Sequence, residues 1–152
     1  MENIDYFAEL YVAGLFAVAG WNIYFPHRDK GFDFIISKDI YLVGQIIRPV
    51  QVKGKYPTEG KTNKAVYGYV GQLTARHPDM VLAIPFFPYE NPQKPSCVAF
   101  LPNYKIKPHA KGVHCEPARF CEGMPIPRKE FLRFFNEEGL SKLDSLKWSQ
   151  KP

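Results

Sequence analysis

The 152-residue length is that of one domain, and a hydrophobic content of 45% argues against an intrinsically disordered chain. The formal net charge of +5 favours a polyanionic partner such as nucleic acid. The three cysteines argue against a disulfide framework and fit a reducing compartment. Because the apolar stretch at residues 6–25 lacks a basic start and contains Glu9, we expect a cytoplasmic protein with neither signal peptide nor membrane span.

The first half of the chain predicts one helix followed by three strands. Apolar residues recur at helical spacing over residues 4–19, and Gly20 marks the expected end of this helix. Apolar runs bounded by turn residues indicate strands at residues 21–25, 32–37 and 48–55, with further strand character at residues 40–43.

The second half predicts a helix at residues 67–76, strands at 80–86 and 96–101, an irregular segment at 105–125 and a helix from Pro127 to Gly139. The order of elements favours an α/β fold in which a mixed central β-sheet is flanked by helices. We expect one domain over residues 1–152, with a core at about 4–101 and an irregular segment and helix at about 102–152.

Two predicted strands carry polar side chains among apolar neighbours. Alternation along the first strand separates Asp33 from Phe32 and Phe34, and alternation along the second places Gln51 and Lys53 on one face. A carboxylate on an apolar strand is costly unless it is paired or binds a cation. If the two strands are neighbours, Asp33, Gln51 and Lys53 meet at one point.

This group of side chains suits a magnesium site for phosphodiester chemistry. Mg²⁺ prefers oxygen ligands, which the carboxylates of Glu9 and Asp33 and the amide oxygen of Gln51 can supply. A nearby lysine such as Lys53 can orient an attacking water or stabilise charge on the phosphate.

These residues resemble the PD-(D/E)XK nuclease superfamily, which includes many restriction endonucleases and the archaeal Holliday-junction resolvases. The resemblance covers residues 4–101 and implies a restriction-endonuclease-like core of the order αβββαβ. It implies that Asp33 is the metal aspartate, Lys53 the catalytic lysine and Glu9 the helix glutamate. Two residues depart from the pattern: Phe32 stands where a proline is common, and Gln51 replaces the usual Asp or Glu.

The resemblance implies a metal-dependent DNA endonuclease with Mg²⁺ as cofactor and Mn²⁺ as a substitute. DNA is the expected partner, and cutting both strands favours a homodimer with two sites. Basic residues on both sides of the motif are candidates for phosphate contacts. These candidates are Arg28, Lys30, Lys55, Lys61 and Lys64.

Three alternatives remain at the level of sequence. The same fold can serve as a DNA- or protein-binding module with a weak or inactive site. Asp33 and Lys53 can instead form a structural ion pair. A zinc site built from His109, His114, Cys115 and Cys121 is a further option, although their spacing does not match a compact zinc finger and unpaired loop cysteines are the preferred interpretation.

Overall fold

The computed structural model of the chain describes residues 2–28, 31–57, 66–67, 73, 75–88, 94–109 and 112–145. Its α-helices are α1 (Glu2–Val18) and α2 (Asn136–Ser141). Its strands are β1 (Asn22–Tyr24), β2 (Phe34–Ile40), β3 (Gly44–Val52), β4 (Val66–Tyr67), β5 (Val81–Phe86), β6 (Cys97–Pro102), β7 (Lys107–His109), β8 (Gly112–His114), β9 (Ala118–Cys121) and β10 (Met124–Pro127). Short 3₁₀ helices cover Asn103–Lys105, Lys129–Phe134 and Lys142–Asp144.

The main sheet has five strands in the order β1-β2-β3-β5-β6. β1, β2 and β3 are consecutive antiparallel strands, β3 runs parallel to β5, and β6 returns antiparallel to β5. The predicted α/β class with a mixed sheet is therefore confirmed. Because β2 and β3 are antiparallel, the start of β2 lies beside the end of β3, with Phe34 opposite Val50.

Helix α1 shares a hydrophobic core with one face of the sheet. Ala8, Val12 and Phe16 are buried and recur at a spacing of four residues, which places them on one side of the helix. They belong to the same buried cluster as Phe34 of β2 and Val50 of β3. The small side chain of Ala8 allows the helix to approach the end of β3 closely, where the candidate site lies.

A second layer covers the other face of β5 and β6. Leu82 and Ile84 of β5 cluster with Phe120 of β9 and with Phe135. β9 is the middle strand of a three-stranded sheet of order β10-β9-β4, and β7 pairs with β8 as a separate hairpin. All six residues of β5 are buried, which explains its uninterrupted hydrophobic sequence.

Several sequence-based predictions of secondary structure were wrong. Tyr67, predicted to begin a helix, belongs to β4, and residues 73, 75 and 76 of the same predicted helix are not helical. Residues 41–43 form a turn, whereas 105–125, expected to be irregular, contains β7, β8 and β9. β4 and β9 pair although they lie far apart in the sequence. The strand propensity of single residues does not predict pairing between distant segments.

The C-terminal helix also differs from its prediction. A 3₁₀ helix comes first, Phe135 is extended, and α2 then runs through Gly139 to Ser141. Phe135 is buried against the second layer and forms a bridge with Ala99 of β6. This tertiary contact interrupts the helix that the apolar pattern predicted. Within the described residues, no helix is long and apolar enough to cross a membrane.

Candidate functional site

Glu9 reaches the site because α1 passes over the end of β3. Asp5 precedes it by one helical turn, so both carboxylates lie on the same side of α1. Gly54 follows β3, and a Cβ added there would lie 3.5 Å from the Cβ of Ala8. This close approach of helix and strand end brings Asp5 and Glu9 towards the residues that follow Val52.

Asp33 precedes β2 and is held by the backbone of β3. Gly31 has a φ of 97°, a conformation that favours glycine, and the chain then turns into β2. The Asp33 amide donates to the carbonyl oxygen of Val50 at 2.9 Å. The Val52 amide donates to Oδ2 of Asp33 at 2.6 Å, a short hydrogen bond to a carboxylate. These two bonds fix the carboxylate beside the end of β3, as neighbouring strands were expected to do.

Gln51 is buried, with 3% of its surface exposed. Its Nε2 donates to the carbonyl oxygen of Gly31 at 2.8 Å, and this bond fixes which end of the amide is oxygen. Its Oε1 is buried and accepts no hydrogen bond from the described residues. A buried acceptor without a donor is costly, so this oxygen suits a water or a cation.

Lys53 and Lys55 extend the line of β3 beyond its last strand residue. The amide of Lys53 donates to the carbonyl oxygen of Ala83 at 3.0 Å, and that of Lys55 to Pro85 at 2.9 Å. The carbonyl oxygen of Lys55 in turn accepts from the Phe87 amide at 2.9 Å. Because the backbone after Val52 stays extended and hydrogen-bonded to β5, successive side chains continue to alternate between the two faces of the sheet. Lys53 and Lys55 therefore lie on the same face as Gln51.

A cavity of about 230 Å³ opens where these elements meet. Its lining contains three of the four residues singled out from sequence: Glu9, Asp33 and Lys53. It also contains Asp5 and Lys55, together with Val52 and Gly54. Gln51 does not line this cavity, so its predicted place beside the other three is only partly realised: it lies next to Asp33 in the sheet, with its amide turned to Gly31.

The environment of Lys55 in the cavity disfavours its charged form. Burial, and then the nearby charge of Lys53, lower the pKa of Lys55 from its ordinary value of 10.5. Among the described residues, Asp33 and Lys53 form no ion pair with each other. The ion pair considered from the sequence is therefore not formed, and Asp33 accepts from the Val52 amide.

An aromatic pair borders the cavity next to Gly54. The rings of Tyr56 and Phe87 are stacked, with centroids 4.7 Å apart and an interplanar angle of 11°. The Tyr56 hydroxyl would lie 3.2 Å from a Cβ at position 54, and it is buried without a partner among the described residues. Burial, and then the charge of Asp5, raise the pKa of Tyr56. The hydroxyl is therefore a neutral hydrogen-bond donor near the acidic side of the cavity.

The candidate phosphate-binding residues divide into three groups. Lys55 lines the cavity and Arg28 is exposed in the segment before Gly31. Lys30, Lys61 and Lys64 lie outside the described residues. Sequence reasoning missed Asp5, which its spacing of four from Glu9 could have indicated, and Tyr56, for which the sequence carried no signal.

The zinc interpretation gains no support from the described residues. Among them, no three His, Cys, Asp or Glu side chains are grouped so that they could hold a metal ion. Cys115 is buried, and burial raises the pKa of its thiol to about 12, whereas Cys121 is exposed. A thiol that resists deprotonation is a poor zinc ligand.

The absence of a group of three metal-binding side chains among the described residues also bears on the magnesium site. Asp5, Glu9 and Asp33 line one cavity without forming a group of three that could hold a metal. Magnesium needs fewer protein ligands than that, because it commonly binds through one or two carboxylates, waters and substrate phosphates. Asp33 and Glu9 supply hard anionic oxygens at the cavity, whereas the buried Oε1 of Gln51 is a neutral oxygen outside its lining. The donor set therefore fits Mg²⁺ or Mn²⁺ better than a soft metal.

No protein-family model matches this chain, and neither a curated protein nor a solved structure is significantly similar to it.

Proposed function

We propose that this chain is a Mg²⁺-dependent DNA endonuclease of the PD-(D/E)XK type. The observation that carries the proposal is the cavity shared by Glu9, Asp33 and Lys53, which come from α1, the start of β2 and the end of β3. Three segments that are separate in the sequence thus place two carboxylates and a lysine around one cavity. Such convergence of ionisable groups in a cavity is typical of functional sites.

The topology supports the same proposal. The strands β1, β2, β3 and β5, three antiparallel strands followed by a parallel one, are compatible with the strands of the core that the resemblance implies. The helix expected between β3 and the parallel strand does not begin at residue 67, where β4 lies. The cavity lies at the carboxyl end of β3, and in open α/β sheets the carboxyl ends of parallel strands are where ligands bind.

The protein groups have separate roles in this proposal. Asp33, held by the Val52 amide, and Glu9 would hold the divalent cation at the cavity. Gln51, which the sequence adds as a third oxygen donor, lies outside the lining of this cavity. When bound, the cation would supply Lewis acidity at the scissile phosphate and make an attacking water more acidic. Lys53 would bring a positive charge to the non-bridging phosphate oxygens, where charge builds up during the displacement. The net charge of +5 favours the approach of DNA.

A second candidate function is a DNA-binding module with the same fold and no turnover. Two observations favour it: Gln51 contributes no negative charge, and it does not line the cavity that holds the other three residues. A site of this kind would bind DNA through its lysines and leave it intact. Cleavage separates the two functions, whereas DNA binding is common to both.

The test is incubation of the chain with linear, supercoiled and branched DNA in Mg²⁺, in Mn²⁺ and in EDTA. We expect metal-dependent cleavage that EDTA abolishes. Lys94→Ala is the matched control, because Lys94 is exposed and does not line the cavity. Binding of DNA without cleavage in any metal would favour the binding module, and the absence of both would reject a nucleic-acid function.

The assembly that cuts DNA is a separate question. One site cuts one strand in each encounter, so breaks in both strands would favour a symmetric dimer. Light scattering of the protein with and without DNA measures this directly. Simultaneous double-strand cuts by a strictly monomeric species would contradict the dimer.

A further inference from the structure

The outer edge of the main sheet carries two exposed aromatic side chains where β1 ends. Five consecutive residues are exposed there: Tyr24, Phe25, Pro26, His27 and Arg28. The exposed fraction is 56% for Tyr24 and 52% for Phe25. Single exposed apolar residues are common on protein surfaces, whereas two adjacent aromatic rings followed by an arginine combine the groups that bind a nucleic-acid strand. The rings can stack on bases, and the guanidinium group can contact a phosphate.

The Phe25 ring rests against the core and lies close to the candidate site. Its centroid is 5.7 Å from that of Phe34, which is buried. Phe34 directly follows Asp33, so the Phe25 ring lies at the Asp33 end of β2. Pro26 restricts the backbone of the residue before it to extended conformations. A ring that contacts the core and is still half exposed is a preorganised surface on which a base can stack.

Tyr24 lies on the opposite face of the sheet from Phe25. It stands directly opposite Ile35 in the pairing of β1 with β2, and Ile35 shares a face with Asp33 because side chains alternate. Phe25 packs on Phe34, which belongs to the core under α1. The two rings therefore flank the Asp33 end of the sheet from both sides.

An exposed aromatic ring favours a single strand over a duplex. In a duplex, neighbouring base pairs cover both faces of each base, so a protein ring can stack on a base only where the duplex is opened. In a single strand the bases can be splayed apart, and stacking on an aromatic side chain tolerates any base. Arg28 can contact a phosphate in either form, because phosphate contacts do not depend on base pairing.

We propose that residues 24–28 bind single-stranded DNA beside the candidate site, with a base stacked on Phe25 and a phosphate held by Arg28. This inference rests on the proposed function for the role of that strand, because it names DNA with an unpaired strand as the substrate class. It gives the two side chains different effects. Phe25 distinguishes single strands from duplexes, whereas Arg28 contributes to the affinity for both.

The first test measures binding of the full chain in EDTA, where metal-dependent cleavage does not occur. Fluorescence anisotropy compares a labelled oligothymidylate of about 12 nucleotides, a length within the range of single-strand sites, with a duplex of the same length. We expect the single strand to bind about 10-fold more tightly, as one base–aromatic stack would give. Equal or tighter binding of the duplex would overturn the inference. Tighter binding of an oligouridylate of the same length would overturn the assignment to DNA.

The second test compares Phe25→Leu with Tyr41→Leu. Leucine retains an apolar contact with Phe34 and lacks the flat ring, so we expect Phe25→Leu to weaken oligothymidylate binding about 10-fold and to leave duplex binding unchanged. Tyr41→Leu is the matched control, because Tyr41 is 87% exposed and lies in the turn at the other end of β2. Phe25→Tyr should bind like the parent, since it keeps the ring. Arg28→Gln should weaken the binding of both DNA forms.

Parent-like binding of the single strand by Phe25→Leu, or equal losses in Phe25→Leu and Tyr41→Leu, would overturn the inference. Single-strand binding that depends on Phe25, without cleavage in any metal, would support this inference and reject the nuclease function. Metal-dependent cleavage by the parent that Phe25→Leu leaves unchanged on unpaired DNA would do the reverse.

Discussion

The amide of Val52 donates to Oδ2 of Asp33 at 2.6 Å, so the last residue of β3 holds the carboxylate that precedes β2. This single bond ties the metal aspartate of the proposed site to the strand that carries Lys53. Asp33 would thus have two separable roles in the proposed site, as a hydrogen-bond acceptor for the fold and as an anionic ligand for the metal.

Asp33→Asn and Asp33→Ala should separate those roles. Asparagine retains an oxygen that can accept from Val52, so we expect Asp33→Asn to change the free energy of unfolding by at most about 1 kcal/mol. Alanine leaves that amide without its acceptor and should cost about 1–3 kcal/mol. Both variants should lose metal-dependent cleavage by at least about 10²-fold, because both remove the negative charge. Urea unfolding and cleavage rates measure the two effects.

Equal stability of the two Asp33 variants would show that the Val52 bond contributes nothing to the fold. Parent-like cleavage by Asp33→Asn would show that its charge is not needed, and would exclude Asp33 as a metal ligand.

Gln51→Glu tests whether the buried amide oxygen faces a cation. The glutamate cannot donate to the carbonyl oxygen of Gly31, and it buries a charge, so we expect the metal-free variant to be less stable by about 1–3 kcal/mol. Mg²⁺ should restore part of that stability, so the rise in melting temperature on adding Mg²⁺ should exceed that of the parent. Thermal melting with and without Mg²⁺ measures this difference. Gln51→Leu is the control, because it loses the same hydrogen bond and gains no ligand. An equal response of both variants to Mg²⁺ would place Gln51 outside the metal site.

Gly54→Ala tests the close approach of α1, β3 and Tyr56. The added Cβ would lie 3.2 Å from the Tyr56 hydroxyl and 3.5 Å from the Cβ of Ala8, so the tyrosine must shift. We expect a loss of about 1–2 kcal/mol in unfolding free energy, in the range of overpacked sites. Tyr56→Phe removes the hydroxyl, which is buried without a described partner, and should by itself be nearly neutral or stabilising.

The double variant Gly54→Ala/Tyr56→Phe should therefore recover part of the loss, and a double-mutant cycle by urea unfolding measures the coupling. Strict additivity of the two changes would mean that the hydroxyl does not limit the space above Gly54.

The thiols should differ sharply in reactivity. Cys97 and Cys115 are buried, and burial raises the pKa of each to about 12, whereas Cys121 is exposed. We expect a thiol reagent to titrate one group per chain in the native protein and all three after unfolding. Cys121→Ser should abolish the fast native reaction. Fast reaction of two or three thiols in the native protein would contradict the burial of Cys97 and Cys115.

Local patterns predicted the elements around the site well, for physical reasons. Burial of Phe34 and Ile36, but not of Ile35, follows from alternation along β2, and the helical spacing of Val12 and Phe16 follows from the face of α1 that packs on the sheet. The sequence left the pairing of β2 with β3 as a condition, and the short turn at residues 41–43 fulfils it. These features depend on residues that are close in sequence.

The remaining features depend on contacts between distant residues, which a single sequence does not encode locally. β4 is a strand because Val66 pairs with Phe120. A strand of two residues is too short for an alternating sequence pattern to predict it. The orientation of the Gln51 amide depends on the carbonyl of Gly31, at a turn set by backbone geometry. Asp5 was within reach of the sequence, since it lies one helical turn from Glu9. Lys55 was named from the sequence as a phosphate contact, and its position one strand period beyond Lys53 points to the same face.

The cleavage rate of Lys53→Ala under single-turnover conditions tests the central claim most directly. DNA affinity is measured in parallel with Ca²⁺ in place of Mg²⁺, so that binding and chemistry are separated. The proposed site predicts a rate about 10²- to 10³-fold below that of the parent, with DNA affinity changed only slightly, because Lys53 acts on the reacting phosphate. A variant that binds and cuts DNA at the parent rate would show that the cavity of Glu9, Asp33 and Lys53 is not the nuclease site.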